Sequence, residues 1–141
     1  MRQALTIHVV VLAAMHSAFL VQGYDGAAGI LYGALTIMGV MIAATFLWLW
    51  AMKMSPLALG LAFAWAGAAM VAGWWWLFSL LDAPERMLRS EALLVLAALL
   101  MTGAVLHMQV LGGTFGFRGR AYLAPVVAAV IVSALVLALV G

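Results

Sequence analysis

Residues 56–81 read PLALGLAFAWAGAAMVAGWWWLFSLL, without a single charged side chain. As a helix at ~1.5 Å per residue, such a stretch reaches ~39 Å, enough to cross a ~30 Å hydrocarbon core. Its first residues are the start of a helix: Ser55 is placed as N-cap and Pro56 at the first helical position. Gly60, Ala64, Ala68 and Ala72 recur every four residues, the small-residue pattern by which membrane helices approach one another closely.

Outward from this run the same pattern repeats. Apolar runs occupy residues 4–22, 27–51, 92–112 and 122–140. They are separated by Gly23-Tyr24-Asp25-Gly26, by Lys53 to Ser55, by the polar stretch Asp82 to Glu91, and by Thr114 to Arg120. Every Asp, Glu, Lys and Arg falls outside these runs. A charge at the bilayer centre costs at least ~2.5 kcal/mol, so this distribution predicts five transmembrane helices. The short connections make consecutive helices antiparallel neighbours. A four-span alternative treats residues 4–22 as a cleaved signal, but His8 and His16 interrupt the run and no A-x-A site follows.

Composition agrees. The chain has 141 residues, 70% hydrophobic and 7% charged, with mean hydropathy +1.27, whereas an ordinary soluble domain carries roughly 25% charge. A soluble globule, a disordered chain and, with no Cys, a disulfide scaffold are excluded. The expectation is an all-α integral membrane protein, one domain over residues 1–141, in an antiparallel five-helix bundle. Arg2, Lys53, Arg118 and Arg120 lie on one side; Arg86 and Arg89 lie on the other with all four acids. The positive-inside rule then puts the N-terminus in the cytoplasm and the C-terminus outside, in a bacterial inner membrane. The basic pI of 9.5 reflects this asymmetry and not nucleic-acid binding.

Small-residue pairs Ala13/Ser17, Ala14/Ala18, Gly29/Gly33 and Ala124/Ala128 are read as packing within the bundle. Trp48, Trp50, Trp74, Trp75, Trp76, Tyr24 and Tyr122 form an aromatic belt at both interfaces. At least one of the three consecutive Trp should turn toward the bundle or a partner, since neighbours on a helix point ~100° apart. Met38 and Met41 are assigned to packing; without Cys they do not make a copper site. Glu85 and Arg89 fit an i,i+4 pair if their loop is helical. The segment Phe115 to Arg120 reads as an anchor at the membrane surface.

With no charge inside the spans, three histidines carry the chemistry. An ionisable residue in a span is a functional-site hypothesis, set against a neutral His bonded within its own bundle. His8 lies ~6 Å inside the first run, and His107 lies ~7–8 Å from the same side of the membrane in the fourth. If those helices touch, the pair can ligate one haem b axially or frame a quinone head. Gln3, Gln109, Thr6 and Thr102 lie near that level, and Trp75 is a weak candidate wall for a flat ring. His16 sits ~12 Å deeper than His8 and ~80° round the helix, outside any shared small site. The layout of residues 24–90, a Trp-rich third helix followed by an Asp/Arg loop, is similar to the five-helix membrane domain of quinoprotein glucose dehydrogenases. That family's acidic residue within the Trp cluster is missing here, and no residue role is carried over.

The functional expectation is a small membrane subunit or anchor of a larger complex, of respiratory or photosynthetic type, framing a haem or quinone. The partners expected are the lipid bilayer and other membrane subunits or further copies. One alternative is a homo-oligomeric transporter or channel, which the lack of intramembrane charge disfavours. The other is a structural or assembly protein without a ligand. An independent enzyme is not expected, as the chain has no P-loop, HExxH or paired carboxylates in a span.

Overall fold

A computed structural model describes residues 2–114, 116 and 119–140. All elements among them are helical: α1 (Arg2–Lys53), α2 (Pro56–Leu80), the short α3 (Glu85–Leu88), α4 (Glu91–Thr114), a 3-10 turn (Ala121–Leu123) and α5 (Ala124–Val140). Four helical segments are long and apolar enough to cross a membrane: Arg2–Lys53, Pro56–Leu80, Glu85–Gly112 and Ala121–Val140.

The count differs from the five expected because the runs 4–22 and 27–51 share one helix. The turn expected over residues 23–26 shrinks to one residue: Gly23 has φ 73 and ψ −172, and helix resumes on either side. A straight helix of 52 residues would reach ~78 Å, more than twice a ~30 Å hydrocarbon core. Gly23 is therefore an elbow, dividing α1 into an arm (2–22) and a stem (24–53). Tyr24, Asp25 and Gly26 continue the stem helix, for their neighbours leave nothing that ends it.

The stem, α2 and α4 form a packed three-helix unit with α2 in the middle. A two-residue link, Met54 and Ser55, joins stem to α2 antiparallel. Met54 takes φ 49, and its N–H bonds the Trp50 carbonyl at 2.6 Å. Ser55 holds the extended N-cap backbone before Pro56, but its side chain makes no capping bond. The helix start rests on Pro56 and on the Leu59 N–H to Ser55 carbonyl bond of 3.2 Å.

The expected ladder on α2 packs, though not as one stripe. Steps of four residues advance ~40° each, so a 4-residue ladder winds off its face. Gly60, Ala64 and Gly67 stay within a narrow arc and meet α4 at Leu106–His107, Gly103 and Leu100. Ala69, Gly73 and Trp76, about half a turn away, meet the stem at Gly39, Thr36 and Gly33. The Gly29/Gly33 pair is thus spent inside the chain, as expected, with Gly33 under the Trp76 indole.

The buried apolar core consists of Ala27, Ala58, Ala62, Ala69 and Ala72, joined by buried glycines, and no large side chain is fully buried. Large side chains point outward along every helix. This inverts the soluble arrangement and suits lipid, where helices gain by backbone approach rather than by hiding Leu and Val from the solvent. The hydroxyls follow the same logic: Thr6, Ser17, Thr36, Thr45, Thr102 and Ser133 each donate to the carbonyl four residues back, at 2.7–3.0 Å. These hydroxyls are satisfied within their own helix, as hydrocarbon requires.

The arm and α5 are different. No described residue of either is buried, and the extensive helix contacts are those of α2 with the stem and with α4. Ala13, Ala14 and Ser17 are exposed with Ala18 half-buried, and Ala124 and Ala128 are exposed. The intramolecular packing expected for these pairs does not form. Between α2 and α4, α3 gives one helical turn. Arg89 leaves it at φ −122 and ψ 32, so the helical spacing expected to pair it with Glu85 is not completed. Phe115, Phe117 and Arg118, central to the expected surface anchor, lie outside the described residues.

Candidate functional site

The antiparallel packing gives the three-helix unit two unlike ends. One end holds Lys53, Met54, Ser55 and the C-terminal part of α4; the other holds Asp25, Asp82, Glu85, Arg86, Arg89 and Glu91.

His107 belongs to the first end. It lies on α4 where that helix crosses the start of α2: a Cβ placed on Gly60 would sit 3.3 Å from the His107 backbone nitrogen. The absence of a side chain at Gly60 lets α4 come this close. The His107 ring is half-buried, and its Nδ1 is sealed from solvent without a hydrogen-bond partner. A buried polar atom left unpaired costs ~1–3 kcal/mol, so this nitrogen is one of the atoms of the unit in need of a partner. Gln109, two residues on, is exposed.

His8 and His16 both lie on the arm and are exposed. The stem and α4 occupy opposite faces of α2, so α1 and α4 share no extensive face within the unit. The structure does not assemble His8 and His107 into one site within the described residues. Thr6 and Thr102, expected near that level, spend their hydroxyls on Arg2 and Ala98 carbonyls. No group of three or more His, Asp or Glu arranged for a metal ion occurs among the described residues.

The Trp cluster divides as the helical rotation demands. Trp76 packs on Gly33; Trp74 is half-buried with its Nε1 enclosed and unpaired. Trp75 meets Phe78 edge to face, with ring centroids 5.4 Å apart and planes at 82°. It lines a cavity of about 460 Å³ at the acidic end, together with Tyr24, Tyr32, Phe78, Asp25 and Asp82. Sequence reasoning placed Trp75 near a ring-shaped ligand but assigned Asp25 and Asp82 to connecting turns. The signal was available: a hairpin folded about Met54 brings residues 24–25 level with 82–83. An apolar groove of about 320 Å³ lies lower on the unit, between Val40, Ala44, Leu47, Phe63, Met70 and Leu99.

No family model, curated protein or solved structure matches this chain. The class rests on the fold alone: the described residues are all-helical in their elements, and four helical segments among them are long and apolar enough to cross a membrane.

Proposed function

We propose that this chain is a small polytopic subunit or anchor of a larger membrane complex in a bacterial inner membrane, crossing the bilayer five times with α1 contributing two crossings. The observation that carries the reading is the contrast among small-residue faces. Those of the stem, α2 and α4 are filled within the chain, whereas those of the arm and α5 are open. Open small faces on apolar helices are where further helices pack. Purification from native membranes in mild detergent tests this. The chain is expected to migrate with other membrane polypeptides, or with copies of itself, at a defined stoichiometry. Migration as a lone 14.9 kDa chain would contradict it.

Within such a complex we assign to His107 the contact with a haem or quinone; its half-buried ring with an unpaired Nδ1 supports the reading. His8, exposed on the arm, is the second imidazole on offer, to this chain or to a neighbour. When bound, a haem would supply one-electron chemistry and a quinone two-electron, two-proton chemistry. The polypeptide would orient the group and exclude water. A reduced-minus-oxidised spectrum of the complex is expected to show a b-type α-band that His107→Leu removes. In the isolated chain without a bound group, the same substitution should leave helicity intact and stability unchanged or raised, since an orphaned polar group is replaced by an apolar one. A band that survives His107→Leu would overturn this assignment.

A further inference from the structure

The acidic end of the unit holds a site that the subunit reading does not use. The cavity of about 460 Å³ is walled by four aromatic side chains, Tyr24, Tyr32, Trp75 and Phe78, and by the carboxylates of Asp25 and Asp82. No Lys or Arg lines it. None of the side-chain hydrogen bonds among the described residues engages Asp25, Asp82 or either tyrosine hydroxyl. Two negative charges beside aromatic faces favour a cation, through both charge and ring quadrupole. Two carboxylates alone do not fill the six to eight oxygen positions a hard metal ion takes, so the preference is for an organic cation.

A second cavity, of about 230 Å³, adjoins the first at the elbow and shares Tyr24, Ala28 and Tyr32 with it; Met15, Phe19, Ala27 and Leu31 complete its apolar lining. The two chambers offer unlike chemistry, acidic and aromatic in one, aliphatic in the other. We propose that they form one binding site for an amphiphilic ammonium, its cationic head between Asp25, Asp82 and Trp75 and its apolar tail in the elbow between Met15, Phe19 and Leu31. Gly23 shapes the site, because the direction change there sets the arm residues against the stem. The head group can belong to a free alkylammonium or to an amine-bearing lipid.

The test uses the full chain in nanodiscs of neutral, amine-free glycolipid, titrated with hexyltrimethylammonium and read by tryptophan fluorescence and calorimetry. Saturable binding is expected. It should weaken by at least about tenfold in the Asp25→Asn/Asp82→Asn double variant and for tetramethylammonium, which lacks the tail, and should be absent for the uncharged 1-octanol. Both aspartates are exposed, and unchanged helicity in the double variant confirms that the comparison is between folded proteins. Adding phosphatidylethanolamine to the nanodisc separates the sources: competition assigns the site to a lipid head group, and its absence assigns it to a free cation. Binding that is not saturable, that the double variant retains in full, or that octanol matches would overturn the proposal.

Discussion

Gly67→Leu is expected to destroy the packed three-helix unit. A Cβ at residue 67 would lie 2.6 Å from the Leu100 Cα and would also meet the Leu100 backbone nitrogen. The obstacle is main chain, which cannot rotate away as a side chain can. Gly103 presents the reciprocal case, its Cβ falling 2.6 Å from the Ala64 Cα. Overpacking a core costs ~1–3 kcal/mol where side chains give way, and more where they cannot; the expected loss here is at least ~3 kcal/mol, since α2 and α4 must separate along their whole crossing. Thermal unfolding in detergent, followed by near-UV signal and aggregation, measures it. Leu100→Ala should not rescue Gly67→Leu, because the clash is with atoms that alanine keeps. Gly73→Ala serves as control. Its Cβ would meet the Thr36 side chain, nearest at Cγ2, 3.2 Å away, a side chain able to adjust, so its cost should stay within ~1 kcal/mol. A Gly67→Leu protein that melts like the parent would show that α2 and α4 do not cross as described.

The second large effect is expected at Gly23. Its φ 73, ψ −172 conformation belongs to a region that is essentially reserved for glycine and costs other residues ~1–3 kcal/mol. Nothing lies within 4 Å of a Cβ there, so the penalty is conformational and not steric crowding by neighbours. Gly23→Val should favour continuing the helix from arm into stem. The chain has no Cys, so two cysteines introduced at Val10 and Leu47 can carry spin labels cleanly. A straight helix would hold those positions ~56 Å apart. The parent is expected to give a shorter distance, and Gly23→Val a shift towards the straight value. D-alanine at residue 23, introduced by semisynthesis, should keep the short distance, since the mirror image of this backbone is the extended region open to ordinary residues. An unchanged distance in Gly23→Val would mean that the elbow is not held by the glycine.

Much of this architecture is legible in the sequence because lipid imposes simple rules. Charges mark helix ends, so the boundaries at Lys53, Asp82 and Glu91 fall within a residue or two of those seen. Small residues mark helix contacts, and Gly60, Gly33 and Ala64 all lie in them. The elbow was not legible as such. Gly-Tyr-Asp-Gly has the composition of a turn, yet a single glycine at positive φ suffices to redirect a helix, and the other three residues remain helical. Which small-residue faces would be filled was equally hidden, since Ala13/Ser17 and Gly29/Gly33 look alike in one dimension. Only the second lies on a helix tied to α2 by a two-residue link. The histidine pair is kept apart for a related reason: equal depth places two residues on one plane, but His8 lies on the exposed arm, and α1 shares no extensive face with α4. The Asp25/Asp82 cavity is not legible in one dimension, where each carboxylate looks like an ordinary loop charge; the hairpin register brings both to one cavity.

The proposed five crossings require that α1, bent at Gly23, pass through the membrane twice. Single cysteines at Arg2, Tyr24, Met54, Arg89 and Arg120, labelled with an impermeant maleimide in sealed oriented vesicles, test it most directly. Positions 2, 54 and 120 are predicted to label from the cytoplasmic side, and positions 24 and 89 from the opposite side only. Labelling of positions 2 and 24 from the same side would contradict the account.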